Sequence, residues 1–172
     1  MKKNITMALL VIFCFLLQNT VFNVLSFGDI GPNLLIIVTA VFGFMHGKKS
    51  GLLVGFFSGL LMDIFFGNVL GFYALIYMYI GFANGFFRKI FFRDDIKLPL
   101  VLILSSDIAY SILVFLLLFV LRSRFHFSFY FFHVIIPEAV YTILVSMALY
   151  PFILWLSKKT EDSPNRSVGK FV

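Results

Sequence analysis

The chain has 172 residues and a formal net charge of +6, with 61% hydrophobic residues, only 13% charged and a mean hydropathy of +1.02. A soluble domain carries about twice that share of charge, and filling the apolar segments takes almost the whole length, so no soluble catalytic domain fits. The single cysteine, Cys14, lies in an apolar run and excludes an internal disulfide.

Read in order, the apolar runs predict six membrane spans: 4–25, 33–46, 50–66, 71–87, 98–121 and 134–156. The first follows Lys2-Lys3 and is long enough to span; with no Ala-x-Ala site after it, it reads as an uncleaved helix rather than a signal peptide. A loop from Ser26 to Asn33 follows, with Pro32 suited to the first turn of the next helix. Span two has about 14 residues, or about 21 Å, against a hydrocarbon core of roughly 30 Å. Either it begins earlier, near Ile30, or the bilayer thins around it. Gly47-Lys48-Lys49 turns it into span three, so spans two and three form a short helical hairpin. Span four ends in the polar patch 88–97, and span five carries Ser105, Ser106 and Asp107. The aromatic stretch from Phe125 to His133 reads as an interfacial belt, and span six opens on Pro137-Glu138. From Ser157 the tail, 157–172, is polar and without apolar periodicity, which predicts disorder.

Glycine recurs every fourth residue at 47, 51, 55 and 59; Asp63, Gly67 and Gly71 continue the step. On a helix such positions lie one above another, so Gly51, Gly55 and Gly59 make a row without side chains. In water each glycine would weaken the helix by about 1 kcal/mol relative to alanine. In lipid the row admits close approach of a second backbone. That backbone belongs either to a partner protein or to a neighbouring span of this chain.

Charge supplies the orientation. Lys2, Lys3, Lys48, Lys49, Arg88, Lys89, Arg93, Lys97, Lys158, Lys159, Arg166 and Lys170 fall on the side of the two termini, and only Arg122 and Arg124 on the other. This bias puts both termini in the cytoplasm. The basic residues then hold topology and meet anionic membrane lipids, and no soluble basic surface remains for nucleic acid.

An acid within a span is costly and so a candidate for function. Asp63 and Glu138 share a depth in the outer half and make a candidate polar cluster with Tyr73; Asp107 lies nearer the cytoplasm. For Asp63 two readings stand together, a ligand or partner contact and a helix cap. Ser105, Ser106 and water can satisfy Asp107, and Glu138 after Pro137 suits a helix start. His126 and His133 lack the further ligands a metal needs and read as interface anchors. There is no Gly-x-Ser-x-Gly, Walker loop or Gly-x-Gly-x-x-Gly, so neither enzyme nor cofactor is expected.

Pro32-Asn33-Leu34, then Gly51-x3-Gly55-Phe56-x2-Gly59-Leu60-Leu61-x-Asp63-x3-Gly67-x3-Gly71-x-Tyr73-Ala74-Leu75-x5-Gly81-x3-Gly85, resembles the rod shape-determining MreD family. Pro137-Glu138-Ala139-Val140-Tyr141-Thr142, with Pro151 before a basic tail, is similar to that family's last span. Members often have Pro-Asp-Leu where this chain has Pro-Asn-Leu. The resemblance implies an all-α integral membrane protein of the bacterial cytoplasmic membrane, similar in fold to the substrate-binding subunits of energy-coupling-factor vitamin transporters. It implies a non-catalytic scaffold of the cell-elongation machinery of peptidoglycan synthesis, with MreC, MreB, RodA and a class B penicillin-binding protein as partners. The alternative is a vitamin-binding transporter subunit. Such subunits commonly carry Ala-x-x-x-Ala in span one, where this chain has Ala8 followed by Ile12.

Overall fold

The computed structural model describes residues 2–24, 30–67, 69–89, 97–122 and 130–161. They form six α-helices: α1 (Lys2–Val24), α2 (Leu34–His46), α3 (Lys48–Phe66), α4 (Phe72–Asn84), α5 (Lys97–Arg122) and α6 (Ile136–Glu161). A 3-10 turn, Gly85–Lys89, extends α4, and a π turn, Phe131–Ile135, leads into α6. Among the described residues, three segments are long and apolar enough to cross a membrane: Lys48–Phe66, Lys97–Leu117 and Phe131–Leu156.

The bundle is built around α2. Every residue from Leu34 to Phe44 is buried, which is the pattern of a helix that is apolar all round and has protein on every side. It does not begin near Ile30 as one expectation had it. Leu34 is its first residue, and Asn33 caps it by accepting a hydrogen bond from the Ile36 N–H at 3.3 Å. Its 13 residues, about 20 Å, need no thinned bilayer, because this helix touches protein rather than lipid.

Around it, α5 and α6 turn their small and polar residues inward together with a few apolar ones, and expose many large apolar side chains. On α6 the buried residues Ala139, Thr142, Ser146, Tyr150 and Ile153 follow helical spacing, while Val140, Leu144 and Met147 are exposed. On α5 the inward stripe is Ile103, Ser106, Asp107, Tyr110, Ser111 and Val114. Such an arrangement would be costly in water and is the expected one in lipid, where apolar side chains gain nothing by hiding.

Several boundaries differ from expectation. The tail does not begin at Ser157: α6 continues to Glu161, because Leu156-Ser157-Lys158-Lys159 holds nothing that breaks a helix, and 162–172 lie outside the described residues. In the aromatic stretch, 123–129, with His126, lie outside them too, whereas Tyr130 to Ile135 are helical. Glu138 is therefore inside a continuous helical path rather than at its beginning. Residues 25–29 of the first loop and 90–96 of the polar patch are likewise outside the described residues.

Candidate functional site

Two groups of residues carry the features singled out in the sequence. The first is the seam between α3 and α4. A Cβ on Gly51 would strike the carbonyl of Gly81, one on Gly55 the carbonyl of Tyr77, and one on Gly59 the backbone of Ala74. The relation is mutual at the basic end, where a Cβ on Gly81 would strike the carbonyl of Gly51. Gly43 of α2 meets the same point: a Cβ there would lie 2.7 Å from the Gly81 carbonyl oxygen. The row therefore faces a neighbouring span, α4, in backbone contact along about two turns. Turning from α2 into α3, the chain uses Gly47 at φ +93, a conformation few other residues adopt.

Asp63 closes the far end of this seam. Its Oδ2 accepts from the N–H groups of Gly71 (3.0 Å) and Ala74 (2.9 Å), and its Oδ1 from that of Tyr73 (2.8 Å). These are first-turn donors of α4, which have no partner within their own helix. The N-cap of α4, Gly71 at φ +97, offers no side chain, so a carboxyl from the preceding helix supplies the cap. Gly67 ends α3 by donating its N–H to the Asp63 carbonyl oxygen. Of the two readings of Asp63, the geometry is that of the cap.

The second group lies where α2 begins. Asn33 Oδ1 accepts from the Tyr77 hydroxyl at 2.9 Å as well as from Ile36, and the Asn33 N–H donates to Thr142 Oγ1 at 3.1 Å. Gln18 Oε1 accepts from the Leu35 N–H at 3.3 Å. One short helix start is thus held by α1, α4 and α6 together. Tyr77 packs its ring edge-on against Tyr110 of α5, with centroids 5.1 Å apart.

Beside this node stand the remaining acids. Glu138 accepts from the Ser111 hydroxyl at 3.2 Å and lies within electrostatic range of Asp107. The structure sets Glu138 with Asp107 and Ser111; Asp63 has its bonds at the start of α4, and Tyr73 joins that start through its N–H while its ring faces Tyr110 at 6.4 Å. Asp107 is 1% exposed and neither of its oxygens has a hydrogen-bond partner, although Thr142 lies beside it. The expectation that Ser105 and Ser106 satisfy it fails, since both hydroxyls donate to the Leu102 carbonyl of their own helix. Ser106 also accepts from Asn84 Nδ2 at 2.7 Å, tying α5 to α4.

The model of one family, rod shape-determining protein MreD, matches residues 1–160. The chain belongs to the MreD family. Neither a curated protein nor a solved structure matches it. Membership assigns the chain to rod-shape determination in bacteria and makes it a membrane protein of that system, in keeping with its three long apolar helices. The glycine seam, Asp63 and the turn at Gly71 fall inside the matched region, as do Asn33, Asp107 and Glu138. Sequence reasoning missed Gly43, Tyr77 and Thr142 as members of these groups. For Gly43 a signal existed, since it is four residues before Gly47 and extends the same four-residue step.

Proposed function

We propose that this MreD-family chain is a non-catalytic membrane scaffold of the cell-elongation machinery, with six spans and both termini cytoplasmic, that docks the transmembrane helices of partners. MreC is the first of these, with RodA and a class B penicillin-binding protein beside it and MreB on the cytoplasmic side. The observation that carries the reading is the self-contained seam: glycine row and Asp63 are used up in joining α3 to α4, which leaves a rigid body with long apolar flanks. Docking then falls to outward faces such as Val140, Leu144 and Met147 on α6, and the glycine row acts by holding the body in shape.

A second reading, a subunit that binds a small vitamin-like ligand, is favoured by one observation, the unbonded carboxyl of Asp107 among tyrosine and threonine hydroxyls. One experiment separates them. Tagged native chain and the variants Leu144→Trp and Asp107→Asn are solubilised in detergent and their co-purifying components identified. The scaffold reading expects MreC with the native chain and with Asp107→Asn, and reduced recovery with Leu144→Trp. A transport ATPase and a small molecule, lost with Asp107→Asn, would establish the second reading instead.

A further inference from the structure

Between α1 and α3 runs an apolar furrow of about 320 Å³, lined by Ala8 and Val11 on one side and by Ser50, Leu53, Phe57 and Leu60 on the other. Its α3 wall extends from Ser50 to Ile64, about 21 Å at 1.5 Å per residue. At the far end the two helices meet through Phe15, whose ring lies 5.1 Å from that of Phe65 and 6.3 Å from that of Phe66. At the near end stand the first turns of α1 and α3, with Lys48 and Lys49.

The two lysines are not equivalent. Lys48 is held by a cation–π contact, its Nζ 3.4 Å from the centroid of Phe86. Lys49 is exposed and has no hydrogen-bond or ion-pair partner among the described residues. It lies next to Ser50, which lines the furrow, and one turn before Leu53, on the stripe that continues through Phe57 and Leu60 to Ile64, so it is the cation that follows the furrow wall at that end.

We propose that this furrow holds one acyl chain of an anionic phospholipid whose phosphate is met by Lys49. Length fits that occupant. One leaflet contributes about half of the roughly 30 Å hydrocarbon core, which the furrow covers with room to spare. Charge fits too: the cation sits only at one end, the apolar wall everywhere else, which is the polarity of a phospholipid and not of a transmembrane segment. Basic sites between helices on the cytoplasmic side are suited to acidic headgroups. The proposal stands independently of the scaffold reading, since it concerns the chain alone.

The test uses the purified full chain in detergent, titrated with dioleoylphosphatidylglycerol or with dioleoylphosphatidylcholine, which share acyl chains and differ in headgroup charge. Phosphatidylglycerol is expected to raise the thermal midpoint by several degrees and phosphatidylcholine by much less. Lys49→Gln should remove most of that difference, and Leu53→Trp, which fills the furrow, should abolish the shift while leaving the lipid-free midpoint near native, because Leu53 is 55% exposed. Equal shifts from the two lipids, or an undiminished phosphatidylglycerol shift in both variants, would overturn the proposal. So would a photoreactive residue in place of Leu53 that captures a protein in cells and no phospholipid.

Discussion

The α3–α4 pair and the α5–α6 pair bury small and polar residues in opposite ways. Between α3 and α4 the contact is backbone on backbone, with Gly51, Gly55 and Gly59 against the main chain of Gly81, Tyr77 and Ala74. Its one acid has three N–H donors. Between α5 and α6 the contacts run through side chains. Ser111 reaches Glu138, Thr142 is engaged by Asn33 of the α2 cap, and Asp107 keeps two unbonded oxygens. The first pair leaves no room for another atom along its glycines, and its acid is fully bonded; the second has hydroxyls and an unbonded carboxyl to offer. Rigidity and binding chemistry are thus separated between two halves of the bundle.

Substitutions should break that contrast in a fixed order. Gly51→Val has the largest effect: its side chain would overlap the Gly81 carbonyl, a fixed backbone atom, so the cost should exceed the ~3 kcal/mol of ordinary overpacking. Little folded protein should survive extraction, measured by size-exclusion recovery. Next, Asp63→Ala leaves three N–H groups without an acceptor, that of Ala74 buried and those of Gly71 and Tyr73 half-buried, at about 1–3 kcal/mol for the buried one and less for the others. Amide exchange at Gly71, Tyr73 and Ala74 should accelerate, and Asp63→Asn should fall between Ala and native because one accepting oxygen remains.

Across the second region the effects should be milder. Asn33→Ala removes one acceptor shared by Ile36 and Tyr77, with an expected loss of about 1–2 kcal/mol in a denaturation series. Tyr77→Phe removes the hydroxyl that bonds both Asn33 and Tyr110 and should cost a similar amount, about 1–2 kcal/mol, by the same measurement. Asp107→Asn should be nearly neutral in stability, since no bond to Asp107 is lost. A strong destabilisation there would mean that Asp107 is as tightly held as Asp63, and the contrast would dissolve.

Much of this was legible in the chain. The four-residue glycine step marked the seam, because only backbone contact gives such a row a use. Asp63 in that row marked its end. What the periodicity left open was the identity of the opposing backbone: a row of glycines reads the same whether a partner or the next span covers it. The pairing of acids was not legible either. Depth along separate spans placed Glu138 level with Asp63, but lateral position around the bundle decides contact, and it sets Glu138 beside Asp107. The role of α2 was half visible. Its shortness read as a mismatch with the bilayer; its burial on every side removes the mismatch.

The central claim is that the glycine row is an internal seam, and Gly55→Leu in the isolated chain tests it most directly. A Cβ at that position would already overlap the Tyr77 carbonyl, so the purified variant, with no partner present, should melt far below the native chain or fail to fold. A variant that melts like the native chain in isolation, yet no longer recovers MreC, would contradict the account and make the row a docking face.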